Sequence, residues 1–163
     1  MKLKTARLLI YTISDVEMER LAEDETDPEL RLAYTEMLQG CMQNPKQRIW
    51  YAIWLIESKE YPGTILGDLS FKGLNPNGMV EIGYGLRDGY CGHGYMTEAV
   101  IALSKWALAQ EGVTCVEAET EPDNLRSQAV LRRAGYVATG QNGAEGPRFR
   151  FRATRRAVSA FGR

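Results

Sequence analysis

Metal ligands and disulfide partners are scarce in this chain. It holds one histidine and three cysteines. Cys41, Cys91 and Cys115 are widely spaced, odd in number and form no CxxC pair. Neither a Cys/His metal centre nor a disulfide framework is expected from so few ligands, and no metal is assigned. Long apolar runs are missing too, and none approaches the roughly 20 residues that a membrane span needs. The opening Met1-Lys2-Leu3-Lys4-Thr5-Ala6-Arg7 lacks the apolar region of a secretory signal. The expected compartment is therefore a reducing cytoplasm, with no membrane association. A large charge of one sign is also absent: the net charge is -1, which gives no global reason to expect nucleic-acid binding.

What is present is globular composition. Hydrophobic residues make up 44% and charged residues 25% of 163 positions, enough to bury one continuous core. No repeat, low-complexity tract or linker divides the chain, so a single domain over 1–163 is expected. The charges are unevenly placed. Nine acidic residues against Arg20 and Arg31 fall between positions 15 and 36, and six arginines with no acid fall between 148 and 163. Two solvated faces would account for this. Alternatively, the acidic segment borders a cleft and concentrates cationic amines.

Turn signals and periodicity divide the chain into elements. Positions 8–13 read as a strand, followed by a helix capped by Ser14 or Asp15 and a second helix beginning near Pro28 and ending before Asn44-Pro45. Strands are expected at 49–57, 64–74 and 79–86, separated by Tyr61-Pro62-Gly63 and Asn75-Pro76-Asn77-Gly78. Trp50, Tyr51 and Trp54 in the first of these either line a cleft or fill the core. From Gly94 the period changes. Met96, Ala99, Val100, Leu103 and Ala107 trace an amphipathic helix stopped by Gly112. A strand over 113–120, a short helix over 125–134, and strands over 136–140 and 149–152 complete the order β-α-α-β-β-β-α-β-α-β-β. This is an α/β (α+β) pattern that suits a mixed sheet with helices on its faces.

Two clusters carry chemistry. Gly89-Tyr90-Cys91-Gly92-His93-Gly94-Tyr95-Met96-Thr97-Glu98 lies between a strand and the long helix. Its glycines let backbone approach a ligand, and the helix N-terminus favours a phosphate. Plain turn chemistry explains the same residues, and the stretch is neither a Walker loop nor a dinucleotide fingerprint. Downstream, Asn124, Ser127, Leu131, Arg133, Gly135 and Tyr136 read on their own as a helix with an N-cap and a C-terminal glycine.

Together, and in this order, the strand Glu81-Ile82-Gly83-Tyr84-Gly85-Leu86, the Gly92-His93-Gly94-Tyr95-Met96-Thr97-Glu98-Ala99 loop and helix, and Asn124-x-x-Ser127 leading to Gly135-Tyr136 resemble the GNAT acetyltransferases. The similarity is greatest to the ribosomal-protein N-terminal acetyltransferase (RimJ/RimL-like) branch. It implies a GNAT fold: a twisted mixed sheet of about six to seven strands with two splayed central strands, and about four helices. It also implies acetyl-coenzyme A as co-substrate and direct transfer to a primary amine, either a small cationic molecule or a protein N-terminus. Backbone groups of Gly85 and Leu86 would pair with the pantetheine arm. The amides of Cys91, Gly92, His93, Gly94, Tyr95, Met96 and Thr97 would hold the pyrophosphate. Asn124 would bond the pantetheine chain, and Arg132 or Arg133 the phosphates. Cys91 stands where the family has Gln or Arg and Met96 where it has Gly or Ala, so one side-chain donor is lost while the amides remain. Cys91 and His93, neighbours in a tight loop, do not read as a nucleophile and its base, because direct transfer needs no covalent intermediate.

An alkyl ammonium titrates near pH 10, so at neutral pH only about one molecule in a thousand is nucleophilic without a base. Glu81 matches the catalytic glutamate of the histone-acetylating branch, but also fits a solvent-facing strand residue. Leu131 occupies the place of the usual tyrosine acid. The resemblance to the ribosomal-protein branch then makes Ser127 the candidate for the thiolate's proton donor, although it could simply donate a hydrogen bond to the sulfur or cap the helix. Tyr84, on the strand face opposite Glu81, and Tyr90, in the loop, are weaker candidates for that donor. A module that binds acetyl-coenzyme A without catalysis is the rival reading. A homodimer through sheet edges is compatible with the strand order.

Overall fold

A computed structural model describes residues 1–152. The arginines expected to form a basic C-terminal face lie partly outside the described residues. Strands β1 (Lys2–Lys4) and β2 (Leu8–Thr12) come first, then helices α1 (Asp15–Asp24) and α2 (Pro28–Gln43). β3 (Trp54–Ser58), β4 (Ile65–Leu74) and β5 (Met79–Leu86) form an antiparallel meander. α3 (Tyr95–Leu108), β6 (Cys115–Glu119), α4 (Leu125–Arg133), β7 (Tyr136–Asn142) and β8 (Pro147–Phe151) follow. All eight strands join one mixed sheet in the order β1-β2-β3-β4-β5-β6-β8-β7. The added strand is β1, whose three residues are too short to display an alternation.

Local chemistry explains most boundaries. The Ser14 hydroxyl accepts the Glu17 N–H while the Glu17 carboxylate accepts the Ser14 N–H, a reciprocal cap that starts α1. Asp27 caps α2 ahead of Pro28, whose missing N–H costs nothing in a first turn. The strand expected over 49–57 is shorter than its composition suggests. Pro45–Trp50 form a 3-10 turn, and pairing begins only at Trp54. The aromatic content of this stretch serves packing instead. Trp50 and Trp54 are buried against Trp106, with ring centroids 5.4 and 4.9 Å away, so both are core residues.

The sheet is covered on both faces. The Met96, Ala99, Val100, Leu103 and Ala107 stripe of α3 packs on Val80, Ile82, Val116 and Ala118. On the other face, Met18 and Ala22 of α1 and Tyr34 and Cys41 of α2 cluster with Ile53. The strand alternation puts Glu81, Gly83 and Gly85 on this second face.

One irregularity in the sheet positions the candidate site. β5 and β6 run parallel and pair only from Met79 to Glu81, against Cys115 to Glu117. Beyond that point β5 stays with β4 as far as Leu86, opposite Gly67, while β6 turns to pair with β8 through Ala118 and Glu119. Two central strands therefore part, and β5 is left without a strand neighbour on the β6 side from Ile82 to Leu86.

Candidate active site

The gap opens toward the N-terminus of α3. A cavity of about 440 Å³ lies there, walled by Leu86, by Cys91, Gly92, Gly94, Tyr95, Met96 and Thr97, and by Arg126 and Arg133 of α4. Gly94 is the N-cap of α3 with φ 77°, and no side chain caps the helix. The left-handed backbone costs an L-residue roughly 1–2 kcal/mol, which accounts for a glycine at this turn. The first amides of α3 thus face the cavity without a side-chain partner, on the positive end of the helix, with two guanidinium groups opposite. This suits a diphosphate. His93 is not part of the wall. Its carbonyl accepts from Arg7 Nη1 at 2.9 Å.

The chain's beginning braces this corner. Glu98, in the first turn of α3, accepts from the Thr5 hydroxyl at 2.6 Å, from the Arg7 N–H at 2.9 Å and from Arg7 Nε at 2.7 Å. Burial pushes the Glu98 carboxyl up, but these donors outweigh it and hold it below the ordinary carboxylate value. The Arg7 guanidinium also lies 4.5 Å from the Tyr95 ring centroid.

On α4, Asn124 Oδ1 accepts the Ser127 N–H at 3.0 Å, so this side chain acts as a helix cap. The Ser127 hydroxyl lies 2.8 Å from the hydroxyl of Tyr84, which reaches it from β5. Tyr84 does point away from Glu81, as its alternation requires, but that is the face on which α4 stands. Burial raises the Tyr84 pKa, against a lowering contribution from Ser127. Arg132 turns away, its guanidinium 5.6 Å from the Phe149 ring centroid, whereas Arg133 enters the cavity wall. Arg126 carried no sequence signal beyond an exposed helical arginine.

A second, larger cavity of about 1130 Å³ lies on the α2 face of the sheet. Gly83, Gly85 and Leu86 form part of its wall, so Leu86 borders both cavities. A Cβ built at Gly85 would meet nothing within 4 Å. The charged groups here are mostly acidic: Glu25, Asp27 and Glu36 from the acidic segment, Asp68, Asp88 and Glu145, against Lys72 and Arg87. Tyr51 lines this cavity, unlike the neighbouring tryptophans.

Glu81 and Ser127 do not line either cavity. Glu81 belongs to an ionic cluster at the root of the gap. One of its oxygens receives Lys72 Nζ at 2.6 Å, and the other receives Arg148 at 3.3 Å. Arg148 Nε also donates to Glu117 at 3.0 Å, and Arg150 Nη2 donates to Glu117 at 2.6 Å. Burial raises the Glu117 carboxyl, but its two arginines, Arg150 foremost, hold it below the ordinary value. Among the described residues no three His, Cys, Asp or Glu side chains converge in a metal-holding arrangement, and no helix is long and apolar enough to cross a membrane.

Residues 5–137 match the family model described as an acetyltransferase (GNAT) domain. Over 85 residues the chain is 38% identical to an uncharacterized N-acetyltransferase, YjdG, of Bacillus subtilis (strain 168); the match covers 52% of this chain. It spans 50% of that curated relative's length. Among solved structures, an acetyltransferase from Agrobacterium tumefaciens str. C58 superposes with a TM-score of 0.72 at 20% identity, covering 94% of this chain and 95% of the other. A ribosomal-protein-S5-alanine acetyltransferase from Vibrio fischeri gives 0.69 at 19% identity, covering 92% and 94%. At these identities the two structures speak for the fold.

Proposed function

The chain belongs to the GNAT acetyltransferase family, and on that premise we propose that it transfers an acetyl group from acetyl-coenzyme A to a primary amine by direct attack in a ternary complex. The acceptor is a small cationic amine or a protein N-terminus, and residues 1–163 act as one catalytic domain. The observation that carries this reading is that an anion-suited cavity and an acidic cavity meet at Leu86, beside a gap between parted strands.

Acetyl-coenzyme A supplies an acyl carbon already activated as a thioester. The protein's contribution is to hold, orient and exchange protons. The N–H groups of Tyr95, Met96 and Thr97, with Arg126 and Arg133, take the diphosphate end. The backbone of Gly85 and Leu86 pairs with the pantetheine arm in place of the missing strand neighbour. Asn124 keeps its amide N–H₂ group for that arm while its oxygen caps α4. An N–H near Leu86 faces the charge that develops on the thioester oxygen. Ser127, linked to Tyr84, donates a proton to the departing sulfur. A carboxylate at the gap takes the proton of the incoming ammonium, with Glu81 the candidate suggested by its strand position.

Native mass spectrometry of the purified protein with acetyl-coenzyme A, followed by a screen of amines for thiol release, tests the reading. One bound coenzyme and turnover on at least one amine are expected. Binding without turnover on any amine would reduce the protein to a coenzyme-binding module.

A further inference from the structure

Glu81 is poorly disposed to take a proton from an acceptor. Both of its oxygens are occupied by cations, and it stands outside the cavity that opens toward the acceptor side. Another carboxylate lies inside that cavity. Asp68, on β4, pairs with Gly85 of β5, the position at which the wall has no side chain. Its neighbour Gly67 faces Leu86, the residue common to both cavities. Asp68 therefore sits on the α2 face directly across from the freed end of β5.

Its surroundings differ from those of Glu81. Among the described residues, the one hydrogen-bond donor to its carboxylate is the Tyr34 hydroxyl of α2, at 2.6 Å to Oδ2. Tyr34 is buried and Asp68 lines the cavity, so one carboxylate oxygen is fixed from behind and Oδ1 is left to the acceptor. The groups facing Asp68 are Tyr34 from α2, Glu25 from the segment joining α1 and α2, and Arg87 just beyond β5. Tyr34 and Arg87 stabilise the carboxylate. Burial, the largest influence, and Glu25 oppose them, and the net effect raises the Asp68 pKa above its ordinary value. A carboxylate displaced in that direction is a better proton acceptor near neutral pH.

We infer that Asp68 is the catalytic carboxylate of this protein: it anchors the primary ammonium of the acceptor through Oδ1 and takes its proton, while Tyr34 positions it. This inference rests on the acetyl-transfer reading above. The proton balance is complete. The ammonium gives one proton to Asp68, which passes it to water. The neutral nitrogen then bonds to the acetyl carbon as the carbon–sulfur bond breaks, and the nitrogen's second proton replaces the one the departing thiolate receives. The substrate class that follows is an amine that arrives charged, entering between α2 and β4 through the acidic mouth. Amines already neutral at the assay pH have less need of Asp68.

The test compares full-length wild type, Asp68→Asn, Glu81→Gln and Tyr34→Phe with spermidine and with a hexapeptide carrying a free N-terminal serine, following coenzyme A thiol release. Asp68→Asn should lower kcat/KM for the amine by roughly 10²-fold or more. It should change the acetyl-coenzyme A Kd by less than about threefold and regain rate as the pH approaches the amine's own pKa. Tyr34→Phe removes a bond that stabilises the carboxylate, so the acid limb of the pH profile should move upward while the high-pH rate is largely kept. Equal loss of coenzyme affinity and turnover in Asp68→Asn would make the residue structural and overturn the inference. So would a Glu81→Gln enzyme that is inactive beside an Asp68→Asn enzyme within threefold of wild type. A wild type that binds the coenzyme and turns over neither these two nor any other amine of the screen would remove the acetyl-transfer reading itself, a result separable from the other two.

Discussion

The hydroxyls of Tyr84 and Ser127 lie 2.8 Å apart, joining the freed end of β5 to the first turn of α4. A serine hydroxyl alone is a weak acid. Held against a half-buried phenol, the proposed donor has a partner that can resupply its proton. Ser127→Ala and Tyr84→Phe should each lower kcat by about 10- to 100-fold. The double variant should lose much less than the product of the two effects, because the pair works as a unit. Steady-state kinetics with separate coenzyme binding checks this. Equal losses in kcat and coenzyme affinity would make the Ser127 hydroxyl a structural partner of Tyr84, since Asn124 already caps the helix.

The two arginines of the smaller cavity should act mainly on coenzyme affinity. Arg126→Ala and Arg133→Ala are each expected to weaken acetyl-coenzyme A binding by about tenfold, the scale of one charge-assisted hydrogen bond. The effect should shrink as ionic strength rises. Calorimetry at two salt concentrations measures it. Arg132 stacks near Phe149, so Arg132→Ala should leave affinity nearly unchanged. A larger loss from Arg132 than from Arg133 would reverse the assignment.

Glu98 is expected to dominate the response of this corner to acid. Its carboxyl is held below the ordinary value in the folded chain. Its stabilising contribution is therefore complete above the unfolded value, near pH 4.3, and is lost as pH falls through the lower folded value. Glu98→Gln should cost about 1–3 kcal/mol at neutral pH, where the carboxylate bonds are lost. The difference from wild type should narrow as the medium is acidified. Thermal melts from pH 7 to pH 3 would reveal this, and a constant difference would contradict it.

Asp68 carries the opposite sign. A carboxyl raised in the folded state makes stability fall as pH rises from the ordinary carboxylate value through the higher folded one. Asp68→Asn keeps an oxygen for Tyr34 and removes that penalty. Its Tm should rise by about 2–4 °C at neutral pH, and by less near pH 4. A stability gain combined with lost turnover is the pattern expected of a functional group held at some cost to the fold.

Much of the architecture could be read from residues that punctuate or repeat. The α3 stripe, the Gly94 start and the turns at Pro62-Gly63 and Asn77-Gly78 each carry a local physical signature, and the structure has its elements there. The stretch over 49–57 misled because aromatic side chains suit a strand and a packed 3-10 turn equally. Tyr84 was placed on its proper face by alternation, but alternation cannot name the helix that stands over that face. Arg126 and Asp68 were invisible for a simpler reason. A lone arginine on a helix, or a lone aspartate in a strand, ordinarily belongs to solvent, and only the path of a distant element puts a cavity beside it.

The contacts of Glu98 with Thr5 and Arg7 span more than ninety positions of sequence, and they give the first residues a task beyond pairing in the sheet. They act as a guy-rope for the loop at Gly92. Trimming the chain to Arg7, or fusing a bulky tag close to it, would slacken the proposed coenzyme-binding corner, built from the middle of the protein. Coenzyme binding, conversely, should slow hydrogen exchange at the Arg7 amide.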